Sequence, residues 1–418
     1  MDTPAPREDF PILQRTVADG KPLVYLDSGA TSQKPQVVID AVNRAELYSN
    51  GAVKRGSHQL AAEATVTYEE AREKVARFVG ADPDEIAWTK NSTEALNLVA
   101  YSIGNASLGR GGERFRVGPG DNLVVTQAEH HSNLVPWQEL ALRTSAQLRW
   151  ISLTEDGRLD LDTLGVIDAR TKVVAFTHVS NVTGAISPVA DVVAAARAVG
   201  ALVVLDACQS VPHMSVNFHD LDVDFACFSG HKMMGPTGIG GLYGKRELLA
   251  ELPPFLFGGS MVAVVEMDKT TYLPAPPKFE AGSQPVAQAI GLGAAVDYLS
   301  AIGMDKIAAH EHALTVRALE GIVKIPGVRV IGPTTTFDRG GAVAFAVDGV
   351  HPHDVGQVLD SLGVEVRVGH HCAQPVHRHF GVDSSSRASF AAYNTEEEVD
   401  AFLAALAKVR PFFGLEDE

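Results

Sequence analysis

Cysteine is scarce in this chain: Cys208, Cys227 and Cys372 are the only three in 418 residues. An odd number spread so far apart argues against a disulfide framework and suits a reducing compartment, so a thiol that matters would act in a site rather than as a staple. Aromatic residues supply only 7% and charged residues 21%, against 45% hydrophobic, the balance of a water-soluble chain with ample apolar surface to bury. Uninterrupted apolar runs long enough to span a bilayer are missing. The opening Met1-Asp2-Thr3-Pro4-Ala5-Pro6 lacks the basic-then-apolar pattern of a secretion signal, so the expected location is the cytoplasm. Positive charge is also in short supply. With 35 basic and 51 acidic residues the formal net charge is −16, which disfavours nucleic acid and anionic membranes as partners. Repeats, heptads and low-complexity tracts are absent.

Short β-rich runs at 122–126, 172–177 and 201–205 alternate with Ala-rich stretches such as 189–199, the pattern of an α/β domain with a parallel sheet and crossover helices. The chain exceeds one ordinary domain, so a large domain and a smaller one sharing a cleft are expected. The segment 105–120, punctuated by Gly109, Gly111, Gly112, Gly118 and Pro119, reads as a surface loop. Prolines and glycines through 251–278 leave room only for short extended pieces near 261–267, the makings of a protruding hairpin. Helical patterns over 291–302 and 306–322 put the crossing between domains near 303. The remainder supplies strands at 342–347 and 364–368 and helices at 353–362 and 396–409.

Two motifs carry the chemistry. Lys232 follows an apolar run in Phe228-Ser229-Gly230-His231-Lys232, and Asp206 ends another, where ligands of parallel sheets collect. A lysine amine can form a Schiff base with an aldehyde cofactor, and a carboxylate about one strand away can keep a pyridine nitrogen protonated, which points to pyridoxal phosphate. A strand-end cap is the plain alternative for Asp206. Ser92 and Thr93, in Asn91-Ser92-Thr93-Glu94, stand before a helical pattern over 95–101 and offer donors to a phosphate, or merely an N-cap; Ser229 and His231 would add donors. Gln209 could reach the cofactor's phenolic oxygen. His130, in Glu129-His130-His131-Ser132-Asn133, could stack on the ring and exchange protons with substrate, or serve packing. Arg387 beside small residues makes a fork for a substrate carboxylate, with an ion pair as the other reading, while Asn181 offers a second carboxylate or ring contact, or a turn. Cys372 lies in Arg367-Val368-Gly369-His370-His371-Cys372-Ala373-Gln374-Pro375, where arginine and imidazoles favour thiolate; Cys208 and Cys227 read as packed thiols.

In order, Arg55-Gly-Ser-His58, Ser92-Thr93-Glu94, Glu129-His130-His131, Asp206 to Gln209, Ser229-Gly-His-Lys232, Phe279-Glu-Ala-Gly282, Arg367 to Ala373 and Arg387-Ala-Ser resemble the SufS-like (group II) cysteine desulfurases of the class V aminotransferase superfamily, over nearly the whole chain. The resemblance implies the PLP-dependent transferase fold (fold type I): residues 1–24 packing with the small domain, a large cofactor-binding domain over 25–303 with a mostly parallel central sheet, and a smaller α+β domain over 304–418 carrying the cysteine loop. It implies a homodimer in which Lys232 is the Schiff-base lysine, Asp206 faces the pyridine nitrogen, His130 stacks on the ring and Gln209 meets the phenolic oxygen. Ser92, Thr93, Ser229 and His231 would bind phosphate, with Ser283 reaching in from the partner subunit. Asn181 and Arg387 would orient substrate, and His58 and Arg367 would line the pocket. Cys372 would take sulfur from L-cysteine as a persulfide, leave alanine, and hand the sulfur on for iron–sulfur cluster assembly.

For the acceptor, His353 in Val350-His351-Pro352-His353-Asp354 is similar to relatives that serve a zinc-bearing SufU-like protein, where His353 would replace an acceptor cysteine on the metal. A SufE-like acceptor is the alternative, and a surface histidine capping the next helix the plain reading of His353. The chain departs from the family in having Ser283 for threonine, Ala207 for a glycine whose loss would crowd the turn, and a longer 105–120 segment. Selenocysteine lyase and cysteine-sulfinate desulfinase share the lysine, aspartate and arginine. A non-catalytic metal-binding protein using His370, His371, Cys372, His377 and His379 would leave Lys232 and Asp206 unexplained, and no resident metal is expected.

Overall fold

A seven-stranded sheet organises the larger part of the chain in the computed structural model, which describes residues 3–415. Its strands are Ile86–Thr89 (β1), Asn122–Thr126 (β2), Gln147–Ile151 (β3), Thr171–Thr177 (β4), Leu202–Asp206 (β5), Phe225–Ser229 (β6) and Gly240–Gly244 (β7), in the order β1-β7-β6-β5-β4-β2-β3. Neighbours from β6 to β3 pair in parallel, whereas β7 runs antiparallel to both β6 and β1. Strands β1, β2, β6 and β7 are buried along their whole length, and β4 and β5 nearly so, which is why they read as unbroken apolar runs instead of alternating ones. β7 is glycine-rich because a Cβ on Gly241 would fall 2.3 Å from the ring of Phe228 on the neighbouring strand.

Helices cover both faces. Gln59–Phe78 (α2), Val189–Ala198 (α5) and Val286–Ile302 (α6) pack with Phe176, Leu205 and Phe228 on one side, and Gln36–Tyr48 (α1) lies against α6. Ser92–Asn105 (α3) and Val135–Thr144 (α4) bring Leu96, Val99, Trp137 and Leu140 against Leu123, Ala175 and Val204 on the other. At Gly303, φ 95°, the chain bends by 77° from α6 into Met304–Ile322 (α7). Beyond it lies an antiparallel sheet of Val328–Ile331 (β8), Ala342–Val347 (β9), Arg367–Gly369 (β10) and Ser385–Ser389 (β11), ordered β8-β9-β11-β10. α7, Pro352–Ser361 (α8) and Glu396–Leu406 (α9) close its core around Leu314, Phe345, Leu359 and Phe402. The N-terminal segment touches both parts: the Phe10 ring lies 4.8 Å from that of Tyr393 and 6.0 Å from that of Tyr298 on α6, and Arg7 pairs with Glu398 on α9 at 2.5 Å. Among the described residues no single helix is long and apolar enough to cross a membrane.

Two local expectations need correction. The strand expected over 364–368 is two: Val364–Glu365 pairs in parallel with Val24–Tyr25, and only Arg367–Gly369 joins the main small sheet. The 105–120 segment is not an open loop, because helical turns at Ala106–Arg110 and Glu113–Phe115 bury Ala106, Phe115 and Val117 in the core under α3. Ala207 is fully buried and its N–H donates to Cys227 O at 3.0 Å. In the proline-rich stretch the extended pieces form a hairpin, Val262–Val265 with Thr270–Tyr272, whose Met267 is fully exposed.

Candidate active site

The C-terminal ends of β4, β5 and β6 open onto a cavity of about 170 Å³, the place where an open parallel sheet gathers ligands. Asp206 ends β5 and Lys232 lies in the turn that follows β6, and both line this one cavity. Asp206 Oδ1 accepts from Cys208 N at 3.0 Å, which anchors the carboxylate at 5% exposure.

The first turn of α3 forms a cluster of donors. Ser92 N donates to Ser229 Oγ at 3.0 Å, the two hydroxyls lie 2.9 Å apart, and Thr93 Oγ1 lies 2.7 Å from Ser132 Oγ. With the helix dipole behind them, these groups make an anion cradle. His231 borders it; burial, then the charges of Lys232 and Lys34, push its pKa down to about 4 and keep the ring neutral. Cys208, expected to be simply packed, is part of the cavity wall, its Sγ 2.5 Å from Ser92 Oγ. Burial and then Asp206 push its thiol up to about 11, so it stays protonated. Cys227 is fully buried.

His130 lines the same cavity. Its Nδ1 accepts from Ser132 N at 3.0 Å, which leaves the ring proton on Nε2, and burial followed by the Lys232 charge lowers its pKa to about 3. Gln209 lines the cavity while its Nε2 donates to Gly29 O at 2.8 Å. A Cβ on Gly29 would sit 3.1 Å from both Arg387 Nη2 and Ser389 Oγ, so a larger residue there would press on the arginine.

Arg367 and Arg387 are direct partners across β10 and β11, so two guanidinium groups enter the cavity from one face of the small sheet. Like charges so placed repel unless an anion joins them. Arg387 is 2% exposed; Nη2 donates to Asp27 Oδ1 at 3.2 Å and Nη1 to Asn181 O at 2.9 Å. Burial lowers the Arg387 pKa and raises that of Asp27, each opposed by the other's charge.

Cys372 is half-buried and follows His371, which lines the cavity. Its loop is held to the turns after β2 and β4 by three hydrogen bonds: Asn181 Nδ2 to His371 O at 2.6 Å, His131 N to Cys372 O at 2.6 Å, and Gln374 N to His131 Nε2 at 3.2 Å. The histidines around it have separate duties. His371 Nε2 and His377 Nε2 both meet Ser385 Oγ, at 3.0 and 2.9 Å, and His379 Nε2 donates to Thr154 O. Among the described residues no group of His, Cys, Asp and Glu could hold a metal ion.

Other expected site residues lie elsewhere within the chain. His58 is exposed and caps α2, its Nδ1 accepting from Ala61 N at 3.3 Å. Ser283 lines a different cleft together with Arg55 and Gln284. His353 is exposed in the first turn of α8; the cap is His351, whose Nδ1 accepts from His353 N. Conversely, Asp27 and Glu129 escaped notice. The one follows the short apolar run Val24-Tyr25-Leu26 and the other adjoins His130, but neither signal distinguishes a site residue from a turn.

An anion cradle at one wall, a buried carboxylate and an amine in one cavity suit pyridoxal phosphate, which carries a phosphate, a basic ring nitrogen and an aldehyde. Residues 24–402 match the aminotransferase class-V family. The chain belongs to that family. It is 56% identical to the probable cysteine desulfurase 2 of Mycobacterium leprae (strain TN), covering 100% of this chain and 98% of that one. Against the cysteine desulfurase of Haloferax volcanii it is 45% identical, covering 99% and 98%. The apo structure of a cysteine desulfurase from Thermococcus onnurineus NA1 superposes with a TM-score of 0.89 at 40% identity, covering 96% of each chain. The class-V member described here is accordingly a cysteine desulfurase with pyridoxal phosphate as its cofactor.

Proposed function

We propose that this cysteine desulfurase moves the sulfur of L-cysteine onto Cys372 as a persulfide, leaves alanine, and passes the sulfur to an acceptor that feeds iron–sulfur cluster assembly. The observation that carries this reading is the Cys372 loop, tied to Asn181 and to the turn bearing His130, beside two arginines that enter the same cavity. In the reaction the Cβ–S bond breaks, its electron pair stays with Cβ and is protonated, and the Cys372 thiolate gains an S–S bond. Pyridoxal phosphate, when bound, supplies the aldehyde and the electron-accepting ring.

The chain's own groups do the rest. With the cofactor bound, Lys232 Nζ would hold its aldehyde carbon and serve as a proton carrier for the substrate, and Asp206 would keep its ring nitrogen protonated. Ser92, Thr93, Ser229 and His231 would bind its phosphate, and Gln209 would meet its phenolic oxygen. His130 would flank its ring, and the neutral imidazole, protonated at Nε2, would exchange a proton with the substrate. Arg387, backed by Asp27, takes the α-carboxylate with Asn181, while Arg367 adds positive charge.

We further propose a SufS-type homodimer in which Ser283, which lines a cleft separate from this chain's own cavity, reaches into the partner's cavity. The domain limits near 24 and 303 belong to the same reading. His353, exposed and without capping duty, would exchange its 3.6 Å contact to Asp354 Oδ1 for the zinc of a SufU-like acceptor, with a SufE-like protein as the alternative. The test is Cys372→Ser. It should retain visible cofactor absorption that borohydride abolishes, yet form no alanine above background. In the unsubstituted protein, mass spectrometry after cysteine addition should find one extra sulfur on Cys372. Normal turnover by the variant would remove the proposal.

A further inference from the structure

Glu129 is a fully buried carboxyl with no assigned task, and its surroundings are unusually directed. Oε1 accepts from Thr126 Oγ1 at 2.5 Å, at the end of β2, and from Thr177 N at 2.9 Å, at the end of β4. Oε2 accepts from Asn133 Nδ2 at 2.6 Å. The sense of that last bond is not free, because Trp137 Nε1, a group that can only donate, donates to Asn133 Oδ1 at 3.0 Å. Asn133 must therefore present its NH₂ to residue 129. Every neighbour is a donor, so the site requires an acceptor at both oxygens, which an ionised carboxylate satisfies and an amide does not.

The turn that Glu129 ties down spans His130 to Asn133. It aims His130 into the cavity, and through His131 it holds the Cys372 loop twice, at Cys372 O and at Gln374 N. We infer that Glu129 is a positioning residue whose carboxylate fixes this turn to the ends of β2 and β4, and so sets both the His130 ring and the Cys372 thiol relative to the cavity. The inference rests on the roles proposed above for His130 and Cys372. Burial raises the Glu129 pKa to about 8; the three donors oppose that rise by selecting the ionised form, which near neutral pH competes with the neutral acid.

The donor–acceptor logic supplies its own test. In Glu129→Gln the new NH₂ faces the NH₂ of Asn133. In Glu129→Gln with Asn133→Asp the pattern is restored with the carboxylate moved to position 133. There the introduced amide oxygen serves Thr126 and Thr177, the introduced NH₂ donates to the relocated carboxylate, and that carboxylate still accepts from Trp137. The first measurement is the rate of Cys372 alkylation by iodoacetamide in the cofactor-loaded protein, read by peptide mass spectrometry, which needs no turnover. The single variant should react about tenfold faster, one charge-assisted hydrogen bond's worth of loosening, and the double variant should return near the starting rate. The second is steady-state kinetics with L-cysteine. The single variant should lose about tenfold in kcat, with the KM for L-cysteine and the cofactor absorption little changed, and the double variant should recover most of it. Wild-type alkylation and kcat in the single variant, or a double variant no better than the single, would overturn the inference. Failure of the persulfide reading shows separately, as a lack of sulfur on Cys372 in the unsubstituted protein, and leaves the alkylation result to decide the role of Glu129.

Discussion

Replacing Asn181 by alanine should loosen the Cys372 loop by an amount the structure lets one work out. His371 and Cys372 both adopt left-handed backbone, with φ 50° and 57°, and Ala373 N closes the turn on His370 O at 2.9 Å. Two consecutive positive φ values belong to a type I′ turn, where Asn-Gly is favoured; neither His nor Cys is, and each costs about 1–2 kcal/mol there. Opposing this cost of roughly 2–4 kcal/mol are the three hydrogen bonds to the turns after β2 and β4, worth about 1 kcal/mol each. The two sums nearly match, so the loop is held closed by a small margin. Asn181→Ala deletes the 2.6 Å bond to His371 O and spares the backbone carbonyl of residue 181, to which Arg387 donates. A loss of about 1–1.4 kcal/mol raises the open population five- to tenfold. The assay is the pseudo-first-order rate at which a thiol reagent modifies Cys372 in the cofactor-loaded protein, at fixed pH, with Cys208 and Cys227 protected by burial. An unchanged or slower rate would refute the reasoning and mean that the His371–Ser385 contact, not the Asn181 clamp, keeps the loop shut.

Arg387→Lys replaces a planar fork by a point charge and leaves either Asp27 or Asn181 O without its donor, so the KM for L-cysteine should rise about tenfold or more with cofactor absorption retained; an unchanged KM would exclude Arg387 from substrate binding. His178, buried and lowered to about pKa 4 by desolvation, makes stability acid-sensitive. Its folded pKa lies below the unfolded value of about 6.5, so the stability gained by keeping it neutral is full above that pH and shrinks as pH falls towards 4. Between pH 7.5 and 5.5 the wild type should lose about 1.4 kcal/mol more than His178→Gln, measured by denaturant unfolding. Parallel losses in the two proteins would mean that burial does not perturb this histidine.

What could be read in advance, and what could not, follows from where each partner lies along the chain. The central strands were legible because burial on both faces makes them continuous apolar runs, and Asp206 was legible because it ends one of them. The split at 364–368 was not, since it depends on Val24–Tyr25, a pairing no local pattern encodes. Glycine and proline made 105–120 look open, although the side chains between them, Ala106, Phe115 and Val117, are what the core of α3 uses. Lys232, Asp206 and Cys372 stood out by residue type and setting. Glu129 and Asp27 did not, because their significance lies in Thr177 N and Arg387, which reach them only through the fold.

The cavity is built across a seam, and that division bears on how it works. Lys232, Asp206, His130 and the phosphate cradle stand on the large sheet and its helices, fixed by strands buried on both faces. Arg367 and Arg387 stand on the four-stranded sheet, and Cys372 in the loop that leaves it. The chain from Asp27 to Ser32 stitches the two: Asp27 to Arg387, Gly29 to Gln209, and Ser32 N to His231 O at 3.0 Å. In the proposed roles, the cofactor contacts that this chain supplies to its own cavity come from the half built on the large sheet, whereas substrate orientation and thiol approach depend on how the halves meet. Damage to the seam, at Asp27, Asn181 or the Cys372 loop, should impair sulfur transfer while leaving the cofactor in place, and damage to the sheet ends should cost both.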